Sequence, residues 1–323
     1  MNRFAPRTHN TYKSHVRKFF SFCVESEVDP LQLTDAQKED YIAYLTLTGV
    51  QATSAPQYLS GLNSTFVAHG FPPPYPPNHP SRRLLIGARR IHPPGHPKHQ
   101  PLQPWVVLRI LQLGLTSDDR RIIQTTAAII ICICFGFRSH TYATILCQHV
   151  RCSRETISID IDAEKSWTTR NPRRPKRTIV YARTEDNAAV FHLLQKFLSL
   201  RGPSFPSSAF FSLPEDPPSL AHDELNFLVK DFMRYLDIST PGYDGHALRH
   251  TFSSMTRSIG VSLEKVCYVG GWSSKGDAVH TYIDSTYPFH PISSLLFNGL
   301  LPPPFRYSVP ASLLGPYVHA EIH

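Results

Sequence analysis

The sequence predicts a mainly α-helical protein with a small antiparallel β-sheet, an α+β fold divided into two domains. Most apolar residues recur at helical spacing, in stretches bounded by capping residues and glycines. Residues 156–162 and 177–182 are short runs rich in β-branched residues, and the first of them alternates with period two. Eleven of the 29 prolines lie in residues 71–104, which indicates a stiff connector. We therefore predict domains at 1–92 and 105–323, joined by a linker at 93–104.

The first domain is predicted to be a small bundle of helices. Residues 8–26 place their apolar side chains on one helical face and basic ones largely off it. Thr34 and Gln37 have the spacing of a capping box and begin a second helix. Ser54 is a possible N-cap for a third helix, and a fourth is expected at residues 81–91.

The chain has more basic than acidic residues, which favours a polyanionic partner. There are 33 Lys and Arg against 25 Asp and Glu, a formal charge of +8. The alternative is a merely basic protein whose charged faces are solvated. The candidate contacts to a phosphate backbone are Lys13, Arg17, Lys18, Arg82, Arg83, Arg89, Arg90, Arg170, Arg173 and Arg174.

Several classes of protein are disfavoured. Six cysteines without framework spacing indicate reduced thiols in an intracellular compartment. No signal peptide is evident, and the longest apolar run, residues 125–137, is too short to span a bilayer, so we expect a soluble protein. Prolines separate His92, His96 and His99, and no Cys or acidic ligand is near, which favours a surface loop over a metal site.

The second domain is predicted to contain a buried helix at 118–135 that leads directly into Arg138. A charge placed there either lies at the surface or is held inward for a purpose. The two β-rich runs then form a hairpin around a very basic loop, and further helices are expected at 105–113, 186–200 and 219–236. The apolar segment at 292–301 requires burial, either in its own domain or against a second subunit.

The stretch from Gly245 to Asp284 carries the strongest functional pattern. His246 and Arg249 lie three residues apart on a predicted amphipathic helix whose N-terminal amides and partial charge suit a phosphate. Gly260 suits the end of that helix. A second short helix is capped by Ser262 and ends at Gly270-Gly271, just before Trp272.

The order His-x-x-Arg, Gly-Trp, Tyr resembles the C-terminal signature of the tyrosine recombinases, in the pieces "HALRHTF", "GGWSS" and "YID". "FGFRSHTYATI" is similar to the family's first-arginine motif, and "TYKSHVRKFFSFC" is similar to its N-terminal DNA-clamping domain. The resemblance implies a helical clamp domain followed by a catalytic domain. The catalytic residues that it implies are Arg138, Lys165, His246, Arg249, Trp272 and Tyr282.

Two of these assignments have alternatives, and one neighbouring position departs from the family. Lys176 is the alternative lysine. Tyr287 is the alternative nucleophile, because the interval from Trp272 to Tyr282 is one residue longer than the commonest family spacing. Thr141 stands where the family commonly has an acidic residue.

The chemistry that the resemblance implies is metal-independent cleavage and rejoining of double-stranded DNA through a 3′-phosphotyrosyl intermediate. A tyrosine hydroxyl is a weak nucleophile at neutral pH, and attack on a phosphodiester builds negative charge that two arginines can hold bidentately. The histidine would donate to the phosphate or accept the tyrosine proton, and the lysine would protonate the departing 5′-oxygen. No cofactor is required.

The family also implies recombination or integration by a homo-tetramer on DNA, without a membrane or a small-molecule substrate. The composition resembles recombinases of eukaryotic mobile elements, which would place the protein in a nucleus. Two alternatives remain open: a DNA-binding protein of the same fold that does not cut, and a type IB topoisomerase that acts as a monomer.

Overall fold

The computed structural model describes residues 6–91, 99–161, 177–221, 223–238, 242–272 and 277–301, together with residues 305, 309 and 313. The chain divides into two compact units, Met1–Pro97 and Lys98–His323. Within the described residues, no helix is both long enough and apolar enough to cross a membrane. All six cysteines are free thiols.

The first unit is a bundle of four helices: α1 (Pro6–Glu25), α2 (Asp35–Leu47), α3 (Ala55–Ala68) and α4 (Arg82–Ile91). Thr34 and Gln37 form the predicted capping box, because the Gln37 amide donates to Thr34 Oγ1 and the Thr34 amide donates to Gln37 Oε1. Ser54 precedes α3 without a side-chain cap bond. Large side chains from three helices, including Phe19, Tyr41 and Leu59, are fully buried in its core.

The second unit contains eight helices among its described residues. They are α5 (Pro104–Thr116), α6 (Arg120–Phe135), α7 (Ser139–Thr144), α8 (Ala188–Arg201), α9 (Glu224–Tyr235), α10 (Gly245–Ser258), α11 (Leu263–Gly270) and α12 (Pro291–Phe297). The helix α6 is buried along almost its whole length, which agrees with its apolar sequence. It packs against α5, α8 and α10 and so forms the centre of the unit.

A three-stranded antiparallel sheet in the order β1-β2-β3 lies between α7 and α8 in the sequence. It comprises β1 (Val150–Cys152), β2 (Thr156–Ile161) and β3 (Arg177–Ala182), with Ile159 opposite Ile179. Alternate side chains of β2 are buried, as the period-two pattern predicts. The sequence did not predict β1, because its three residues are partly or fully exposed and carry no alternation of apolar and polar residues.

The predicted linker at 93–104 ends earlier than expected. The division falls after Pro97, and Leu102 is fully buried in the core of the second unit. The Leu102 amide donates to Thr251 Oγ1 of α10 at 2.8 Å, and the Gln103 amide donates to Tyr243 Oη at 3.2 Å. Prolines at 101 and 104 made this segment look like connector, but its hydrogen bonds belong to the second unit.

The apolar segment near the C-terminus packs on its own unit. Leu295, Leu296 and Phe297 of α12 are buried in the core of that unit. The Leu296 carbonyl accepts a hydrogen bond from Tyr181 Oη of β3 at 2.6 Å. Of the two ways to bury this segment, the structure has the intramolecular one.

Candidate active site

The N-terminal half of α10 carries the predicted histidine and arginine. Leu248, Phe252 and Met255 are fully buried, so the helix is fixed against the core. The N-terminus is not an open anion site as the sequence suggested, because the Asp244 carboxylate caps it. Asp244 Oδ1 accepts hydrogen bonds from the amides of His246 (2.9 Å) and Ala247 (3.1 Å). A phosphate at this place would therefore have to be held by side chains.

Arg249 is the largest fully buried side chain among the described residues, with 1% of its surface exposed. Its guanidinium lies 3.5 Å from the centre of the Trp272 ring and 5.3 Å from that of Tyr282. Nη1 donates a hydrogen bond to the carbonyl oxygen of Gly136. A buried cation is costly unless it is hydrogen-bonded and paired, and here aromatic faces and a carbonyl hold it inward.

Tyr282 lies at the end of a 3₁₀ helix, Asp277–Tyr282, where three of the predicted side chains surround it. Its ring centre is 5.1 Å from that of Trp272 and 6.1 Å from that of His246. Its carbonyl oxygen accepts hydrogen bonds from the hydroxyls of Ser253 and Ser254 on α10. The helix that carries Arg249 therefore also fixes the main chain of the tyrosine.

Trp272 follows α11, which begins at the predicted cap Ser262 and ends at Gly271 with a φ of 68°. A Cβ atom at Gly270 would come within 1.9 Å of the Trp272 ring, so only glycine leaves room for it there. The buried Nε1 of Trp272 has no hydrogen-bond partner among the described residues. A donor in this state beside Arg249 and Tyr282 suits an oxygen acceptor supplied by a ligand.

Arg138 follows the end of α6, where Gly136 adopts the left-handed conformation with a φ of 60°. The carbonyl of Gly136 is the acceptor for Arg249, so the turn before Arg138 is joined directly to α10. Arg138 is partly exposed, and its positive charge is among the causes that lower the pKa of His246. The charge of the first predicted arginine thus acts on the predicted histidine.

Tyr287, the alternative nucleophile, lies in a different environment. It is 7% exposed, and its hydroxyl donates a hydrogen bond of 2.7 Å to the Leu102 carbonyl. Burial raises the pKa of its hydroxyl, and Tyr243 and Asp284 raise it further. The Tyr287 hydroxyl therefore has a structural partner.

Two further side chains lie beside the predicted ones, and sequence reasoning did not select them. The ring of His250 is 4.7 Å from that of Tyr282, nearer than that of His246. The ring of His99 is 4.9 Å from that of His246, and its Nδ1 donates to the Asp244 carboxylate at 2.9 Å. His99 lies in a partly exposed bend, as expected for a loop, but its ring packs against α10; His92 and His96 lie outside the described residues.

Burial lowers the pKa of both histidines on α10. For His246 the other lowering causes are the charges of His99, Arg249 and Arg138, and Asp244 opposes them. For His250 the pKa is lowered from its usual 6.5 to about 4, first by burial and then by His99. Both imidazoles are therefore uncharged at neutral pH and able to accept a proton.

The remaining predicted residues are only partly covered by the structure. Lys165, Lys176, Arg170, Arg173 and Arg174 lie outside the described residues, as do the side chains of Arg82, Arg89 and Arg90. Lys13, Arg17 and Arg83 are exposed. Lys18 lies 5.8 Å from the centre of the Tyr44 ring and donates to the Thr48 carbonyl at 3.5 Å. In the described part of the chain, no group of three or more His, Cys, Asp or Glu side chains is arranged to hold a metal ion.

No protein-family model matches the sequence, and no curated protein matches it significantly. Solved structures do match. The Tn1549 transposon integrase in complex with transposon right end DNA aligns with a TM-score of 0.61 and 15% identity, over 88% of this chain and 92% of that one. The XerH site-specific recombinase in a post-cleavage complex with its palindromic difH substrate gives 0.60 and 14%, over 84% and 75%. A lambda integrase dimer bound to a core site gives 0.58 and 14%, over 89% and 74%. The chain therefore has the fold of the tyrosine recombinases.

Proposed function

We propose that the protein cleaves and rejoins double-stranded DNA at specific sites, with Tyr282 as the nucleophile and a 3′-phosphotyrosyl link as the intermediate. One observation carries the proposal. The Arg249 guanidinium is buried against the rings of Trp272 and Tyr282, and His246 and His250 flank the same tyrosine. The structurally similar proteins include a recombinase in a post-cleavage complex with its substrate and an integrase with circular intermediate DNA.

In the proposed reaction, Tyr282 Oη attacks the phosphorus and its proton passes to a neutral imidazole. His246 and His250 are both available for this, because burial and neighbouring positive charges keep them uncharged. The bond to the 5′-oxygen breaks, and a hydrogen-bond donor must protonate that oxygen. We assign this step to Lys165 or Lys176 of the basic loop between β2 and β3, on the family resemblance.

Two positive charges and one neutral donor stabilise the phosphoryl oxygens in this scheme. Arg249 and Arg138 hold the charge that develops during attack, because a guanidinium stays protonated throughout. The Nε1 donor of Trp272, which has no partner among the described residues, donates to one of the two non-bridging oxygens. Reversal of the same step with a new 5′-hydroxyl rejoins the strand, so no energy source is needed.

The DNA contacts beyond the site are assigned to the basic side chains named above. Lys13, Arg17 and Arg83 are exposed on the first unit, and the basic loop follows β2 in the second. Assembly as a tetramer on DNA and an origin in a mobile element are parts of the same proposal, and both rest on the resemblance alone.

The test is covalent capture of DNA. Sites would first be selected from a random pool of duplexes with the whole protein, then nicked near each candidate position so that cleavage becomes irreversible. We expect a protein–DNA adduct that Tyr282→Phe abolishes. The matched control is Tyr287→Phe, which removes the same atom five residues away and should retain the adduct. An adduct that survives Tyr282→Phe and is lost with Tyr287→Phe would reassign the nucleophile.

A DNA-binding protein that does not cut is the second candidate, and Thr141 is the observation in its favour. Thr141 is buried on α7, where the family commonly has an acidic side chain. Binding of the selected duplexes without adduct on any nicked substrate would establish this candidate. Relaxation of supercoiled plasmid that lacks the selected site would instead indicate a topoisomerase.

A further inference from the structure

The pair formed by His99 and Asp244 connects two parts of the chain that are 145 positions apart. His99 Nδ1 lies 3.0 Å from Oδ1 and 2.9 Å from Oδ2 of Asp244, so the carboxylate holds the ring on both oxygens. Asp244 also caps α10 through the amides of His246 and Ala247. One carboxylate therefore orients the imidazole of His99 and the first turn of the helix that carries the site.

The segment that carries His99 is fixed independently of this pair. Leu102 is fully buried, its amide donates to Thr251 Oγ1 on α10, and its carbonyl accepts from Tyr287 Oη. Three residues beyond His99, one hydrogen bond thus holds the backbone to α10 and a second holds it to Tyr287. His99 is placed by its segment as well as by Asp244.

The His99 ring also lies beside the two histidines of α10. Its centre is 4.9 Å from that of His246, with the two planes inclined by 37°, and 6.2 Å from that of His250. Since Nδ1 donates to Asp244, the tautomer of a neutral His99 is fixed with Nε2 as an acceptor. A carboxylate that orients an imidazole next to a reacting group is the arrangement that positions bases in hydrolytic triads.

We infer that His99, held by Asp244, is a positioning residue for the cleavage reaction, which fixes the His246 ring beside Tyr282 and Arg249. The inference rests on the proposed function for its role in cleavage, but the arrangement itself can be tested without DNA. Its electrostatic consequence is that His99 lowers the pKa of His246 whereas Asp244 raises it. The charged and titratable groups that act on His246 or lie beside it are His99, Asp244, Arg249, Arg138, His250 and Tyr282.

Two substitutions separate positioning from helix capping. His99→Gln removes the imidazole that lies between Asp244 and His246. Asp244→Asn removes the carboxylate charge but keeps a good N-cap, because asparagine and aspartate are about equally effective there. The matched control is Asp119→Asn, since Asp119 caps α6 by the same bonds, to the Arg121 and Ile122 amides.

The first readout is cleavage of the nicked duplex in a single turnover, followed across pH. Misplacement of a catalytic group by about 1 Å costs on the order of 100-fold, so we expect His99→Gln and Asp244→Asn each to slow cleavage about 10- to 100-fold. The double variant should be no slower than the slower single variant, because both changes break one contact. In His99→Gln, the fall in cleavage rate that accompanies protonation of His246 should begin at a higher pH than in the wild type. Asp119→Asn should cleave like the wild type.

The second readout is the titration of the histidine rings by NMR in the free protein labelled on histidine, with His246 identified from the spectrum of His246→Gln. We expect the midpoint of His246 to rise in His99→Gln and to be unchanged in Asp119→Asn. An unchanged midpoint in His99→Gln would overturn the inference, as would a wild-type rate across pH in that variant. If the wild type forms no adduct while the His246 midpoint moves as expected, the proposed function fails and the placement of His99 stands.

Discussion

Replacement of Arg249 by lysine is the most informative perturbation of the site, because it keeps the positive charge and removes the planar guanidinium group. A hydrogen bond from a charged group such as that to the Gly136 carbonyl contributes about 1.5–3 kcal/mol. The contact with the Trp272 ring at 3.5 Å contributes about 2 kcal/mol at a buried position. Lysine can recover part of each contact but not both, so we expect a loss of about 2–4 kcal/mol in the free energy of unfolding.

That loss should lower the Tm by about 5–15 °C, because 1 kcal/mol corresponds to about 2–4 °C in a domain of this size. The effect on the activation free energy of cleavage should be of similar size. Removal of one preorganised donor to a developing oxyanion costs about 100- to 1000-fold in rate. Both quantities are measurable on one preparation, by thermal unfolding and by single-turnover cleavage of the nicked duplex.

Arg201→Lys is the matched control. Arg201 is also buried, and its hydrogen bond and ring contact are both with Phe210: it donates to the Phe210 carbonyl at 3.0 Å and lies 5.0 Å from the ring centre. It should lower the Tm and leave the cleavage rate of the folded protein unchanged. If Arg249→Lys binds DNA and cleaves within about twofold of the wild-type rate, Arg249 does not hold the phosphate and the proposed chemistry is wrong.

Three further outcomes are expected. Trp272→Phe keeps an aromatic face for Arg249 but removes the Nε1 donor, so cleavage should fall about 100-fold in single-turnover assays with little change in DNA affinity; unchanged cleavage would exclude the donor from the reaction. The pKa of His250 is lowered from its usual 6.5 to about 4, so the unfolded state binds the proton between these values and the folded state does not. The free energy of unfolding should therefore fall as the pH drops from 6.5 to 4. At 1.36 kcal/mol per pH unit, this residue contributes at most about 3 kcal/mol to that fall. In urea unfolding, His250→Gln should show a shallower pH dependence than the wild type. Thr34→Ala removes the capping-box oxygen of α2 and should destabilise the first unit by about 0.5–2 kcal/mol in urea unfolding, with no change in cleavage chemistry; the control is Thr46→Ala, whose hydroxyl bonds only within its own helix.

The parts of the fold that local chemistry determines were predictable from the sequence. The capping box at Thr34, the cap at Ser262 and the stop at Gly271 follow from short-range preferences that tertiary packing does not override. The apolar run of α6 and the period-two pattern of β2 were equally clear, because each is long enough to show its period. Strand β1 had no such signal, since three exposed residues form it only by pairing with β2.

The site was predictable where its residues share one helix or one motif. His246 and Arg249 lie one turn apart on α10, and His250 completes the same face four positions after His246, so helical spacing alone could have suggested it. His99 had no such signal, because its partner Asp244 is 145 positions away. The cap of α10, Asp244, was not predicted from the sequence, although aspartate is a common N-cap. The prediction used only the motif that begins after it, at Gly245. Pairings of this kind depend on the tertiary fold, which periodicity does not report.

The hydrogen bonds from the Ser253 and Ser254 hydroxyls to the Tyr282 carbonyl bear on whether one subunit can supply its tyrosine to the active site of another. They hold the main chain of Tyr282, the proposed nucleophile, against the α10 helix of its own molecule, which also carries Arg249 and His246. In this conformation Tyr282, Trp272, Arg249 and His246 of one molecule lie together, so under the proposed function each molecule would cleave with its own tyrosine. A mixture of Tyr282→Phe and Arg249→Ala molecules should then form no adduct. If instead one subunit supplied its tyrosine to the site of another, the mixture would recover activity.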